Sequence, residues 1–179
     1  ILMVMIANDI SLRNLIPEEI NKGFGFFQSK PSTSFSPVAV TIDELGKSWV
    51  DGKLHETIMV DLNNIPLGRN QTGEDMTFNF YELITHAAKT RNLSSGSIFG
   101  SGTISNMSSN GGPEDTIVQG GRGYSCIVEK RTFETIKLGR PISPYMLFGD
   151  TIRIQVLNKN EESIFFIEKN EIDLWKKKI

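Results

Sequence analysis

At 179 residues, 39% hydrophobic and 22% charged, the chain has the size and apolar content of one globular domain with a sizeable core, and two domains would be cramped. Its net charge of −2 and sequence pI near 5.8 exclude a protein whose main partner is nucleic acid or an anionic membrane, since no broad basic stripe is present. The one basic run, Lys176-Lys177-Lys178, reads as a solvated tail, and the single Cys126 cannot close an internal disulfide, which points to a reducing compartment such as the cytoplasm.

Residues 1–7, Ile-Leu-Met-Val-Met-Ile-Ala, form an apolar run that predicts a buried strand. The run has no basic leading region and no small-residue cleavage site, and it is too short to span a bilayer, so it is neither a signal peptide nor a transmembrane helix. A chain that opens inside a core strand without an initiator methionine is expected to be a piece of a longer one. A short helical turn is expected from Pro17, which tolerates the first helical position, to Gly23. Strands are predicted at 35–41 and 54–62 from their β-branched and aromatic residues.

The clearest helix begins near Asn79, whose side chain can cap, with Glu82 in the place of a capping-box acid. Phe80, Leu83, Ile84, Ala87 and Ala88 then share one face, which predicts a helix packed on a sheet. Residues 105–123 are Gly/Ser-rich and predict a long mobile surface loop. Further strands are expected at 124–136, 151–157 and 163–167. In the second of these, Ile152, Ile154 and Val156 alternate with Arg153 and Gln155, the pattern of a sheet with one wet face. No internal repeat and no linker divides the chain.

Four places carry polar residues that packing alone does not ask for. Asp9 follows directly on the apolar run 1–7, so its carboxylate emerges at a strand end, as a metal ligand, a catalytic acid or a turn cap. Lys30, in Gln28-Ser29-Lys30-Pro31, follows Phe24-Gly25-Phe26-Phe27 and is either a cation that neutralises a substrate anion or a solvated surface lysine. Gly100-Ser101-Gly102-Thr103 leaves an apolar strand-like run and offers backbone N–H groups and the Thr103 hydroxyl as a cradle for an oxyanion or carboxylate, or is an ordinary glycine turn. Glu129 ends Cys126-Ile127-Val128 and needs a partner or an altered pKa if buried; at a sheet edge it would pair with Lys130 or Arg131. His55 and His86 read as structural residues.

Asn8-Asp9-x-Ser11-x-Arg13, Gln28-Ser29-Lys30-Pro31, Gly100-Ser101-Gly102-Thr103-Ile104-Ser105 and Gly123-Tyr124-Ser125-Cys126-Ile127-Val128-Glu129 occur in this order and at these distances. That string resembles the C-terminal catalytic domain of the fumarylacetoacetate hydrolase family. The resemblance covers residues 1–167 and takes in Phe148-Gly149-Asp150-Thr151-Ile152-Arg153-Ile154 and His86-Ala87-Ala88-Lys89-Thr90-Arg91. It implies an α+β, β-dominated fold, a multilayer mixed β-sheet roll with one main packing helix. The whole chain, 1–179, would be a single catalytic domain, incomplete at its N-terminus, with 168–179 as a tail.

The resemblance implies a hydrolase of carbon-carbon bonds in acylpyruvate or β-diketone-like acids that uses a divalent metal, Mg²⁺ or Ca²⁺. Decarboxylation or isomerisation draws on the same metal-enolate chemistry. A remnant that keeps the fold and binds a small acid or a partner protein is the reading from another class. Asp9 would be a metal-binding carboxylate and Lys30 a neighbour of the metal and the substrate oxygens. Gly102 and Thr103 would clamp the substrate carboxylate or the developing oxyanion, and Glu129 would orient or activate the attacking water. Ser34 lies near a position that helps hold a secondary ion in relatives. The family's Glu-x-Glu metal pair and catalytic histidine precede the Asn-Asp motif and have no counterpart in this sequence, so Asp9 alone leaves most of the ligand shell of a hard cation to water. Weak Mg²⁺ binding is therefore expected of the chain by itself. A homodimer is expected, and the absent groups would come from a longer chain or from a separate N-terminal polypeptide.

Overall fold

The computed structural model describes residues 1–171, and the basic run 176–178 lies outside them. The chain opens with β1 (Met3–Val4), β2 (Ala7–Asn8) and α1 (Ile16–Asn21), followed by β3 (Ser34–Phe35), β4 (Val40–Thr41) and α2 (Ile42–Leu45). A hairpin, β5 (Trp49–Val50) and β6 (Lys53–Leu54), leads into β7 (Thr57–Leu62) and β8 (Ile65–Gln71). Then come α3 (Phe80–Ala87), α4 (Ile127–Leu138), β9 (Thr151–Leu157) and β10 (Ser163–Glu171). The fold is α+β and dominated by strands, and every strand pairing among the described residues is antiparallel.

A four-stranded sheet in the order β10-β9-β7-β8 forms the centre. Alternation in β7 and β9 sends matching residues to one face: Ile58 lies opposite Val156, Val60 opposite Ile154 and Leu62 opposite Ile152. Phe165 of β10 joins them across from Val156, and Ile6, Leu45 and Leu54 complete the core. The hairpin between β7 and β8 turns at Asn63 and Asn64, both at positive φ (51° and 63°), the two-residue geometry that matches the twist of its strands. Asp61 is buried between the Arg69 guanidinium (2.5 Å) and that of Arg153 (2.7 Å). Burial alone would raise its pKa, but the two arginines outweigh burial and hold the carboxyl below its ordinary range.

The outer edge of β8 is closed by a loop. Gly68 bridges Gly123, Arg69 N–H donates to the Arg122 carbonyl (2.7 Å) and Tyr124 N–H to that of Leu67 (2.9 Å). Only glycine admits this approach, since a Cβ at position 68 would stand 2.4 Å from the Tyr124 carbonyl oxygen. The loop 105–123, expected to be a mobile surface segment, is cross-linked here. Arg122 reaches Glu74 (2.7 Å), Glu114 (2.9 Å) and the Met107 carbonyl (2.9 Å), and the Tyr124 hydroxyl donates to the Glu114 carbonyl (2.6 Å).

Expectations for several elements are corrected. Residues 1–7 are not one buried strand: they form two short pairings, β1 with β4 and β2 with β3, and only Ile6 is buried while Leu2 is 80% exposed. Residues 124–136, expected as a strand, give α4. The stretch Glu129-Lys130-Arg131-Thr132 has no two-residue alternation, Glu, Lys and Arg are good helix formers, and Gly139 at φ 75° ends the helix by donating to the Thr135 carbonyl (2.9 Å). Helix α3 has the expected capping box, Asn79 and Glu82 bonding reciprocally at 2.9 and 2.8 Å, but none of its residues is buried. Its first turn meets the β5–β6 hairpin, Phe80 stacking on Trp49 with ring centroids 6.0 Å apart and Tyr81 lying against Gly52. The strands expected at 35–41 and 54–62 are each interrupted, at residues 36–39 and 55–56, while that expected at 163–167 continues to Glu171.

Candidate functional site

Asp9 follows β2, whose pairing with β3 sets Asn8 opposite Ser34 and brings Asp9 beside Thr33. The Thr33 hydroxyl donates to one Asp9 carboxylate oxygen (3.3 Å), and Lys30 Nζ lies 2.7 Å from the other. The same ammonium donates to the Ser11 hydroxyl (2.8 Å) and reaches the Asp9 carbonyl (3.5 Å). The first two sequence motifs thus meet in one ion pair, 21 residues apart in the chain.

Thr103 and Ser105 stand in the wall of a cleft of about 220 Å³ together with Thr72, Asp75, Thr77 and Leu83. Gly102, at φ 79°, makes the turn between Ser101 and Thr103 in a conformation that L side chains rarely take. What holds this loop is Asn106. Its amide oxygen accepts from Gln71 N–H (2.7 Å) and its amide nitrogen donates to the Gln71 carbonyl (3.1 Å), so one side chain pairs with the end of β8 as a neighbouring strand would. Asp75 secures it, accepting from the Asn106 amide (3.0 Å) and from Met107 N–H (3.0 Å). Neither Asp75 nor Asn106 carries a local sequence signal: Asn106 directly follows the Gly100–Ser105 motif, and nothing near it in the chain marks its partners.

Glu129 lies in the first turn of α4, half-buried, with Oε2 shut away from solvent and without a hydrogen-bond partner. Burial pushes its pKa above the ordinary carboxylate range, and Ser105 opposes that shift. The edge-strand pairing with Lys130 or Arg131 does not occur. The residue is helical, and Arg131 instead donates to the Ser143 carbonyl and lies over the Tyr145 ring, 4.0 Å from its centre. Ser105, two residues after Thr103, lies near enough to Glu129 to counter that shift, whereas among the described residues no hydrogen bond or ion pair connects Glu129 to Asp9 and Lys30. Asp9, Lys30 and Glu129 are not part of the wall of the Thr103 cleft.

Among the described residues no three His, Cys, Asp or Glu side chains gather as ligands for a cation. Asp9 already spends both carboxylate oxygens on Lys30 and Thr33, so these residues do not fit the six or more oxygens that Mg²⁺ or Ca²⁺ takes. His55 and His86 are exposed and belong to neither group.

The described residues thus form a β-dominated α+β domain in which separated motifs close into a lysine-carboxylate pair and a glycine-hydroxyl loop. The chain matches the fumarylacetoacetate (FAA) hydrolase C-terminal family over residues 1–166, and it belongs to that family. Its members are hydrolases, isomerases and decarboxylases, and they commonly bind divalent metals. A search of curated proteins found no match. No helix of the described residues is long and apolar enough to cross a membrane.

Proposed function

We propose that this chain is the C-terminal part of the catalytic domain of a hydrolase that cleaves a carbon-carbon bond in acylpyruvate or β-diketone-like acids. The observation that supports this reading best is the Asp9–Lys30 pair, because it fixes an ammonium at the meeting point of two family motifs. Hydrolysis adds water to the carbonyl beside the scissile bond, and the bond's electron pair leaves with the other carbon as an enolate, which then takes a proton. Lys30 would spread the negative charge of that enolate. Thr103 and the Gly102 amide would hold the substrate carboxylate. Glu129, whose pKa burial raises, suits a group that holds a proton and passes it on.

Metal dependence, on Mg²⁺ or Ca²⁺, would need ligands beyond the described residues, supplied by an upstream segment or a separate N-terminal polypeptide. Homodimer formation is also proposed, supported by exposed apolar side chains such as Leu2, Phe24 and Phe27, and a reducing cytoplasm by the free Cys126. The test is acylpyruvate hydrolysis and Mg²⁺ calorimetry on the chain alone and with an upstream segment restored. The expected result is weak binding and little turnover alone, with both recovered together. Tight stoichiometric Mg²⁺ binding by the chain alone, abolished in Asp9→Ala, would overturn the proposed division of ligands. A second reading, small-acid binding without turnover, is favoured by the full engagement of both Asp9 oxygens. Oxalate binding with no product formed after restoration would select it, and product analysis separates hydrolysis from decarboxylation or isomerisation.

A further inference from the structure

We infer that Glu19 is the residue that positions Lys30. Its carboxylate reaches from α1 across to residues 27–29 and accepts there from three main-chain N–H groups and one hydroxyl. Gln28 N–H lies 2.6 Å and Ser29 N–H 3.1 Å from Oε1, while Phe27 N–H lies 2.9 Å and the Ser29 hydroxyl 2.6 Å from Oε2. Ser29, the residue before Lys30, is completely buried, and its carbonyl accepts from Leu12 N–H (2.8 Å). This last bond lays 27–30 alongside 9–12, and Lys30 then finds Asp9 and Ser11.

Packing does not hold this loop. Phe24, Phe26 and Phe27 are 96%, 55% and 77% exposed, so the usual anchor of a loop, an apolar side chain in the core, is missing on the approach to Lys30. The charged hydrogen bonds of one glutamate replace it. They also hold the Glu19 carboxyl below its ordinary pKa, the Ser29 hydroxyl first and the Phe27 amide next. What the positioning achieves for the reaction rests on the role proposed for Lys30; the positioning itself does not.

The experiment keeps the two apart. Lysines of the native chain and of Glu19→Gln are acetylated briefly with acetic anhydride and quantified residue by residue by mass spectrometry, with Lys47 and Lys89 as exposed references. Glutamine retains the size but turns an NH₂ toward the same donors. Lys30 labelling is expected to rise at least threefold in Glu19→Gln, with the references unchanged and the melt still cooperative. Unchanged Lys30 labelling in a folded variant would overturn the inference, as would an equal rise at all three lysines, which signals general loosening. If Glu19→Gln does not fold, Ser29→Ala removes one of the four contacts and should give a smaller rise confined to Lys30; no rise there overturns the inference. With oxalate as probe, Glu19→Gln and Lys30→Met should each weaken binding, and the double variant should be no weaker than Lys30→Met alone. Oxalate binding untouched in Lys30→Met would sink the substrate role of Lys30, and the labelling would still decide the role of Glu19.

Discussion

The loops after α1 and after α4 are each gathered by a glutamate on the preceding helix, Glu19 binding the N–H groups of Phe27, Gln28 and Ser29, and Glu134 those of Ile142 and Ser143 at 2.8 Å with the Ser143 hydroxyl. Their surroundings differ. Glu134 is buried, and its loop is held further by Arg131, which donates to the Ser143 carbonyl and stacks over Tyr145 on the way to β9. Glu19 is half-exposed, with bare phenylalanines beside its loop and Ser29 the buried residue among its partners. One hydrogen-bond pattern therefore has two energetic meanings. A donor on a buried residue, such as Ser29, stays unsatisfied when its acceptor goes, whereas one on an exposed residue, such as Phe27 or Ile142, turns to water and loses only its order.

The sharpest way to break this comparison is Glu134→Ala. Two main-chain N–H groups and a hydroxyl would lose a buried acceptor, with the exposed Ile142 N–H free to turn to water, so a loss of about 2 kcal/mol is expected in denaturant unfolding. A loss under about 1 kcal/mol would mean that water reaches this loop as it reaches the other.

Glu129 tests burial in the absence of donors, because its Oε2 has none. Its pKa is raised from 4.5 by burial, against Ser105, so the folded state keeps its proton to higher pH than the unfolded state does. Stability should fall as pH rises from that unperturbed value to the folded one, and stay lowered above it. Glu129→Gln should flatten that slope and leave the neutral-pH midpoint unchanged or higher. A lower midpoint in Glu129→Gln would show that the carboxylate is stabilised by a partner.

The smallest global effect belongs to Glu19, and its sign is the reverse. A carboxylate with a lowered pKa contributes fully above its unfolded value and loses that contribution as pH falls through the folded one. Amide protection at Phe27, Gln28 and Ser29 should therefore collapse as pH falls below the ordinary value of 4.5 and through the lowered folded one, while overall melting changes little. Protection that persists to the acid limit would assign the loop's order to something other than the glutamate.

Local rules made part of this legible in the sequence. The alternation of Ile152, Ile154 and Val156 and the Asn79–Glu82 cap each depend on residues a few places apart, and both stand in the structure as read. Helix α4 was misread because the β-branched Ile127 and Val128 open it, although the unbroken polar run after them and Gly139 are helix signals. The motifs drew attention to Asp9 and Lys30, yet the bond between them depends on Glu19, which looks like any solvated glutamate of a short helix until the chain folds back on it. Asn106 posed the same difficulty: an amide that stands in for a strand is visible only beside Gln71.

The closure of β8 by Gly123 has a consequence for assembly. A bare edge strand is an open template on which another chain's strand can be laid, and this sheet would otherwise offer one beside its core. With Gly68 bridged to Gly123, and with the Arg69 and Tyr124 amides already paired to the neighbouring backbone, that template is occupied by the protein's own chain. Any association of copies through the middle of β8 is thereby confined to contacts between side chains, and fibre-like growth of the sheet from this stretch is blocked. A substitution at Gly68 would undo the seal before it disturbed the core.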